Sequence, residues 1–137
     1  REHPFFLGKG LRQRLAVGAA LTIEPEIIVV DEPTTGQDHA MCAEIMALLD
    51  ELNRAGHTIV VITHDMQVVA EHCRRVVVMA EGRVIGDGPP ASVFADARLL
   101  ARARIEPPQI TRLSLALAPG APPALSVDEM AERLQRI

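Results

Sequence analysis

A chain of 137 residues with 48% hydrophobic and 23% charged side chains is about one domain long and can bury a core, which excludes disorder as its default state. Its net charge of -4 argues against a nucleic-acid-binding surface. No apolar run reaches the roughly 18 residues that would span a bilayer and the N-terminus shows no charged-then-apolar signal, so any membrane contact is expected to be peripheral.

The first predicted element lies in "LGKGLRQR", Leu7–Arg14. A glycine-rich loop that opens directly onto a helix turns free backbone N–H groups and the positive helix end toward an anion, and a phosphate is the natural guest. A plain glycine-tolerant turn is the alternative. Helical spacing continues over Leu11–Thr22 and stops before Pro25, and "IIVV", Ile27–Val30, follows as a short β-branched run of the kind buried in a parallel sheet. "AMCAEIMALLDELNRAG", Ala40–Gly56, predicts a second helix ending at a glycine C-cap, and "TIVVIT", Thr58–Thr63, a second buried strand. A shorter helix in "MQVVAEHC" leads to a third strand in "RVVVMA", and Glu81-Gly82 predicts a turn into an edge-strand partner, "RVIGDG". Strands alternating with helices predict a mostly parallel α/β sheet with active groups at the carboxyl ends of its strands. After Gly88 the chain reads as short helical pieces between proline pairs, then a turn-rich connector, "LAPGAPPALS". Ser126 and Glu129 form an S-x-x-E capping box that starts a terminal helix in "VDEMAERLQRI". Cys42 and Cys73 suit a reducing compartment and read as ordinary thiols, because His72-Cys73 lacks further ligands at metal spacing.

The chemistry lies at the strand ends. Asp31 closes the first strand and is placed to hold Mg²⁺ directly or through water, while the adjacent Glu32 points the other way, where it can orient and deprotonate an attacking water. Phosphoryl transfer asks for that division of labour. The acid pair alone could equally end a strand and cap a turn. The second strand, however, ends in Thr63-His64-Asp65, which puts His64 beside the acids if the two strands are neighbours.

The order of glycine-rich signature, helix, strand with "DEPTTGQD", helix and strand with "THD" resembles the ATP-binding subunit of ABC transporters over residues 1–88. That resemblance implies the P-loop NTPase (ABC ATPase) fold, here the carboxyl-terminal part of its mostly parallel sheet, with residues 89–137 as a small helical carboxyl-terminal extension. It implies that Asp31 is the Walker B metal ligand, Glu32 the catalytic glutamate and His64 the switch histidine. Asp38 is implied to be the D-loop aspartate, and Leu7, Gly8, Lys9, Gly10 and Leu11 a signature motif that closes over ATP held by a second ATPase in a head-to-tail dimer. The motif Leu7-Gly8-Lys9-Gly10-Leu11 departs from L-S-G-G-Q and is similar to the L-G-K-G-E form of energy-coupling factor (ECF, or CbiO-type) importers, with Leu11 in place of the acid. "PPQITRLSLAL", Pro107–Leu117, and "LSVDEMAERL", Leu125–Leu134, are similar to the carboxyl-terminal extension of the same ATPases. The implied cofactors are ATP and Mg²⁺. The implied partners are the second ATPase, a transmembrane coupling subunit and a substrate-binding membrane subunit, with no nucleic acid, at the cytoplasmic face of the cell membrane and for import of a vitamin or transition-metal ion.

A P-loop needs G-x-x-x-x-G-K-[ST], and the sole lysine, Lys9, is followed by Gly10. The chain therefore reads as the carboxyl-terminal part of a longer ATPase, inactive alone. Two other readings stand beside it: a non-hydrolytic remnant that docks on a partner ATPase, and an ABC-type ATPase of DNA repair.

Overall fold

The computed structural model describes residues 8, 11, 12, 15, 18, 19 and 22–135. They belong to two compact units, Arg1–His64 and Asp65–Ile137. In the first unit the described residues between Leu11 and Ala19 are helical. The Arg12 N–H donates to the Gly8 carbonyl at 3.1 Å, so Gly8 stands at the mouth of that helix. Leu7, Lys9 and Gly10 lie outside the described residues.

Strand β1 (Ile27–Asp31) and strand β2 (Thr58–Ile62) pair in parallel, with Ile27 opposite Thr58 and Asp31 opposite Ile62. Parallel strands need a crossover, and helix α1 (His39–Arg54) supplies it. Its Ile45, Met46 and Leu49 are buried on one stripe, and Ile28 is buried in the alternate set of β1. The opposite alternation, Ile27 and Val29 on β1 with Val60 and Ile62 on β2, is apolar and exposed. Two hydrogen bonds lengthen the ladder at its ends, from Thr58 N–H to the Glu26 carbonyl and from Glu32 N–H to the Ile62 carbonyl, both 2.8 Å.

The second unit begins with helix α2 (Met66–His72), capped by the Asp65 carboxylate, which accepts from the Gln67 and Val68 N–H groups at 3.0 and 3.3 Å. Strands β3 (Val76–Ala80) and β4 (Arg83–Gly88) form the expected hairpin. Glu81 and Gly82 both take positive φ, 51° and 71°, the pattern of the two-residue turn whose twist matches the strands. Among the described residues β3 pairs with β4 alone, antiparallel, so the mostly parallel sheet expected from the sequence is represented by the β1-β2 pair only. Val78 faces Gly86 and Met79 faces Val84, which leaves Ile85 as a bulge. Gly86 allows a close approach: a Cβ there would lie 2.6 Å from a terminal methyl of Leu99, which would have to shift.

Helices α3 (Pro90–Ala95) and α4 (Ala97–Ala103) are separated by Asp96, which caps α4 through the Arg98 and Leu99 N–H groups. Val69, Ala70, Val78, Val93, Phe94 and Leu100 make one buried core, so residues on both sides of Gly88 pack together. Helix α5 (Gln109–Leu117) and helix α6 (Val127–Leu134) complete the unit. The capping box at Ser126 forms with a variation. The Ser126 hydroxyl accepts from Glu129 N–H at 3.1 Å, whereas the Glu129 carboxylate reaches past Ser126 to Leu125 N–H at 2.7 Å. Arg133 ties the proline connector to α6 by donating to the Pro122 and Pro123 carbonyls.

Arg75 grips Asp87 across the hairpin with two parallel hydrogen bonds of 2.8 and 2.7 Å. The guanidinium holds the Asp87 carboxyl below the usual carboxylate range, and Asp87 raises Arg75 in turn. Because the folded pKa of Asp87 lies below its unfolded one, the pair's stabilisation is complete above the ordinary aspartate titration and is lost as pH falls through the depressed value. Both groups meet solvent, so the contribution is small. Asp87→Asn is expected to lower the thermal midpoint slightly at neutral pH, with a difference that vanishes on acidification and shrinks with salt. Melts across a pH series check it; an equal difference at acid and neutral pH would assign the effect to something other than the carboxylate charge.

Candidate active site

Placing β1 and β2 side by side brings their carboxyl ends together, and with them the residues that follow each strand. Asp31 is the exposed last residue of β1. Glu32 then takes φ 47°, a left-handed conformation that favours glycine and is uncommon for a residue with a side chain. The backbone is closed into a turn by Thr35 N–H to the Glu32 carbonyl at 3.3 Å and Gln37 N–H to the Thr34 carbonyl at 3.2 Å. Backbone held in this region outside glycine is strain that the surroundings must impose, and it gathers at functional sites.

The Glu32 carboxylate is held from two directions. Its Oε1 accepts from the His64 backbone N–H at 3.2 Å and lies 2.7 Å from His64 Nδ1. Its Oε2 accepts from the Thr35 hydroxyl at 2.7 Å. An ionised carboxylate only accepts, so the His64 proton on this side resides on Nδ1. Hydrogen bonding from His64, and after it from Thr35, holds the Glu32 carboxyl below the ordinary glutamate range. The histidine side chain is 80% exposed and the glutamate 34%, so the pair sits at the surface of this unit, open to a ligand. About four lone-pair positions exist on a carboxylate, and the three donors named leave room for one more.

Asp38 follows the turn and caps α1, its carboxylate accepting from Met41 N–H at 2.8 Å. Cys42 donates to the Thr34 carbonyl at 3.5 Å, a structural contact under the same turn. Of the signature residues, Gly8 and Leu11 are described and exposed. Asp31 is a single carboxylate, and among the described residues no three His, Cys, Asp or Glu side chains converge as a metal site. That fits Mg²⁺, which is commonly held by one or two carboxylates, with substrate phosphates and water filling the other positions. The grouping of Glu32 with His64 was legible in the sequence. The sequence does not single out the Thr35 hydroxyl or the left-handed Glu32: Thr34 stands three residues after Asp31 and Thr35 three after Glu32, so spacing does not choose between them.

Comparison with known proteins bears on this arrangement. The chain is 48% identical over 115 residues to a putative ABC transporter ATP-binding protein of Methanosarcina mazei, covering 84% of this chain and 20% of that one. It is 39% identical over 111 residues to the energy-coupling factor transporter ATP-binding protein EcfA2 of Methanospirillum hungatei, covering 81% of this chain and 28% of that one. Among solved structures it matches cbiO1 of Clostridium perfringens, part of the ABC transporter complex cbiONQ, with a TM-score of 0.62 and 39% identity, over 74% of this chain and 41% of that one. Its homologues are ATP-binding proteins of ABC transporters, and the chain is a part of such an ATPase. No family model matches it. As an ABC ATPase chain it spans about a fifth to two fifths of the length of these relatives. The ABC ATPase fold expected from the motif order is thereby shown, as is the likeness to energy-coupling factor ATPases.

Proposed function

We propose that this chain supplies the hydrolytic residues of an ABC-type ATPase that energises import of a small solute, a vitamin or a transition-metal ion, through membrane partners. The observation that carries the reading is the 2.7 Å contact of Glu32 with His64 at the carboxyl ends of two adjacent parallel strands. Glu32 orients the attacking water through the acceptor position its three donors leave open, and draws off its proton. His64, fixed through Nδ1, can offer Nε2–H to a γ-phosphate oxygen when the ring is protonated. Asp31 would hold Mg²⁺, whose charge offsets that developing on the phosphates. Asp38 and the loop from Leu7 to Leu11 serve the dimer, the loop meeting ATP held by a second ATPase head to tail. Residues 1–88 belong to the ATPase proper and 89–137 to an extension. The assembly works at the cytoplasmic face of the membrane with a transmembrane coupling subunit and a substrate-binding subunit.

The likeness to EcfA2 and cbiO1 supports this reading. The 137 residues contain no G-x-x-x-x-G-K-[ST] stretch, which favours a second reading, a non-hydrolytic module docking on a partner ATPase. Nucleotide binding and turnover separate the two. The isolated chain is expected to bind Mg-ATP no tighter than roughly millimolar and to turn none over, while the complete ATPase that contains it binds and hydrolyses. Micromolar binding by the isolated chain in calorimetry would refute the placement of the phosphate cradle outside these residues. A complete ATPase that binds without hydrolysing would favour the docking module.

A further inference from the structure

We propose that Thr35 is a positioning residue that fixes the orientation of the Glu32 carboxylate from within its own turn. The proposal rests on the reading of Glu32 as the hydrolytic base. Its basis is an asymmetry in how the carboxylate is held. Both donors to Oε1 come from His64, at the end of β2, whereas the donor to Oε2 is the hydroxyl of Thr35, three residues along the same turn, at 2.7 Å. The turn is closed independently by Thr35 N–H to the Glu32 carbonyl. Backbone and side chain of Thr35 therefore grip the backbone and side chain of the same residue.

Glutamate loses considerable rotamer freedom when ordered, and a base gains most when its reacting atom is already aimed. The left-handed backbone at Glu32, φ 47°, sets the direction in which the side chain leaves the strand. The two ends of the carboxylate then set its rotation. If His64 turns toward a phosphate oxygen, its Nδ1 contact lengthens, and Thr35 is the side-chain donor that stays with the carboxylate because it rides on the same turn. A hydroxyl at this position does what a methyl cannot, and serine suffices where valine fails.

The test uses Thr35→Val, Thr35→Ala and Thr35→Ser in the complete ATPase, with Glu32→Gln beside them. A single hydroxyl hydrogen bond to a partly exposed carboxylate corresponds to about three- to tenfold in rate, the solvent nearby keeping it at the lower end for a charged acceptor. Valine and alanine are expected to lower kcat by that factor with KM for ATP unchanged, and serine to restore it. In the ¹⁵N-labelled chain the His64 Nδ1–H resonance is expected to broaden or shift with valine and return with serine, a readout independent of turnover. Unchanged kcat and an unchanged His64 resonance in both valine and alanine variants would overturn the proposal, as would a loss that serine fails to rescue. If Glu32→Gln leaves hydrolysis intact while valine still moves the His64 resonance, the clamp stands and the assignment of Glu32 as base fails.

Discussion

Glu32→Gln in the complete ATPase, with the partner's site disabled, is expected to slow hydrolysis by about 10²- to 10⁴-fold while nucleotide binding persists. The amide is the same size and can still accept from the His64 backbone N–H, now 3.2 Å from Oε1, so the turn and the β1-β2 pairing have no reason to change. What disappears is the capacity to take a proton. The amide nitrogen also brings donors to a place where the Thr35 hydroxyl donates, and that hydroxyl must rotate to accept instead. Phosphate release under saturating Mg-ATP and equilibrium nucleotide binding, measured on the same preparation, check the two halves. Turnover within a few-fold of the unaltered protein would remove Glu32 from the role of base.

Phe94→Ala is expected to cost about 3–5 kcal/mol. Phe94 is 1% exposed at the centre of the second unit, among Val69, Ala70, Val78, Val93 and Leu100, and it stands on α3, a helix of six residues with no side-chain cap of its own. So short a helix persists through the face it buries and not through its propensity. Removing the ring leaves a void that α2, β3 and α4 can close only by moving together, and a packed core resists such collapse. A fall in thermal midpoint of more than about 10 °C follows, read by far-ultraviolet circular dichroism because the chain has no Trp or Tyr. Phe94→Leu, closer in volume, is expected to lose far less. A loss below about 1 kcal/mol for the alanine variant would show that the site collapses at little cost.

Much of this fold is legible in the sequence. The β-branched runs at Ile27 and Thr58 announced strands, although one face of each is exposed and not buried as expected; the helical spacing between them announced the crossover, and Glu81-Gly82 announced the hairpin turn. These signals are local, and the elements obey them. The site needed one non-local fact, that β1 and β2 are neighbours; the polar strand endings made His64 and Glu32 candidates, and the pairing brought them within 2.7 Å. Side-chain rotation and backbone handedness stayed hidden. Nothing in "DEPTTG" specifies which threonine meets the acid, since Thr34 is buried and Thr35 exposed only once the turn has closed. The reach of Glu129 past Ser126 to Leu125 likewise depends on the entry angle of the chain, which the spacing of a capping box does not set.

The two strand pairs of this chain differ in what they ask of an unfolded polypeptide. The β3-β4 hairpin is closed by the two-residue turn Glu81-Gly82, in which Gly82 takes its positive φ without steric cost, and hairpins assemble in about 1–10 μs. The β1-β2 ladder joins Ile27 to Thr58 across the whole of α1, so its ends must meet before any hydrogen bond rewards the loss of chain freedom. The hairpin is thus the element able to form early. The acid and the histidine, standing at the ends of the slower pair, come together only when the crossover helix has docked. Within the first unit, assembly of the chemical groups therefore waits on the crossover helix, and the site is complete only when that helix is in place.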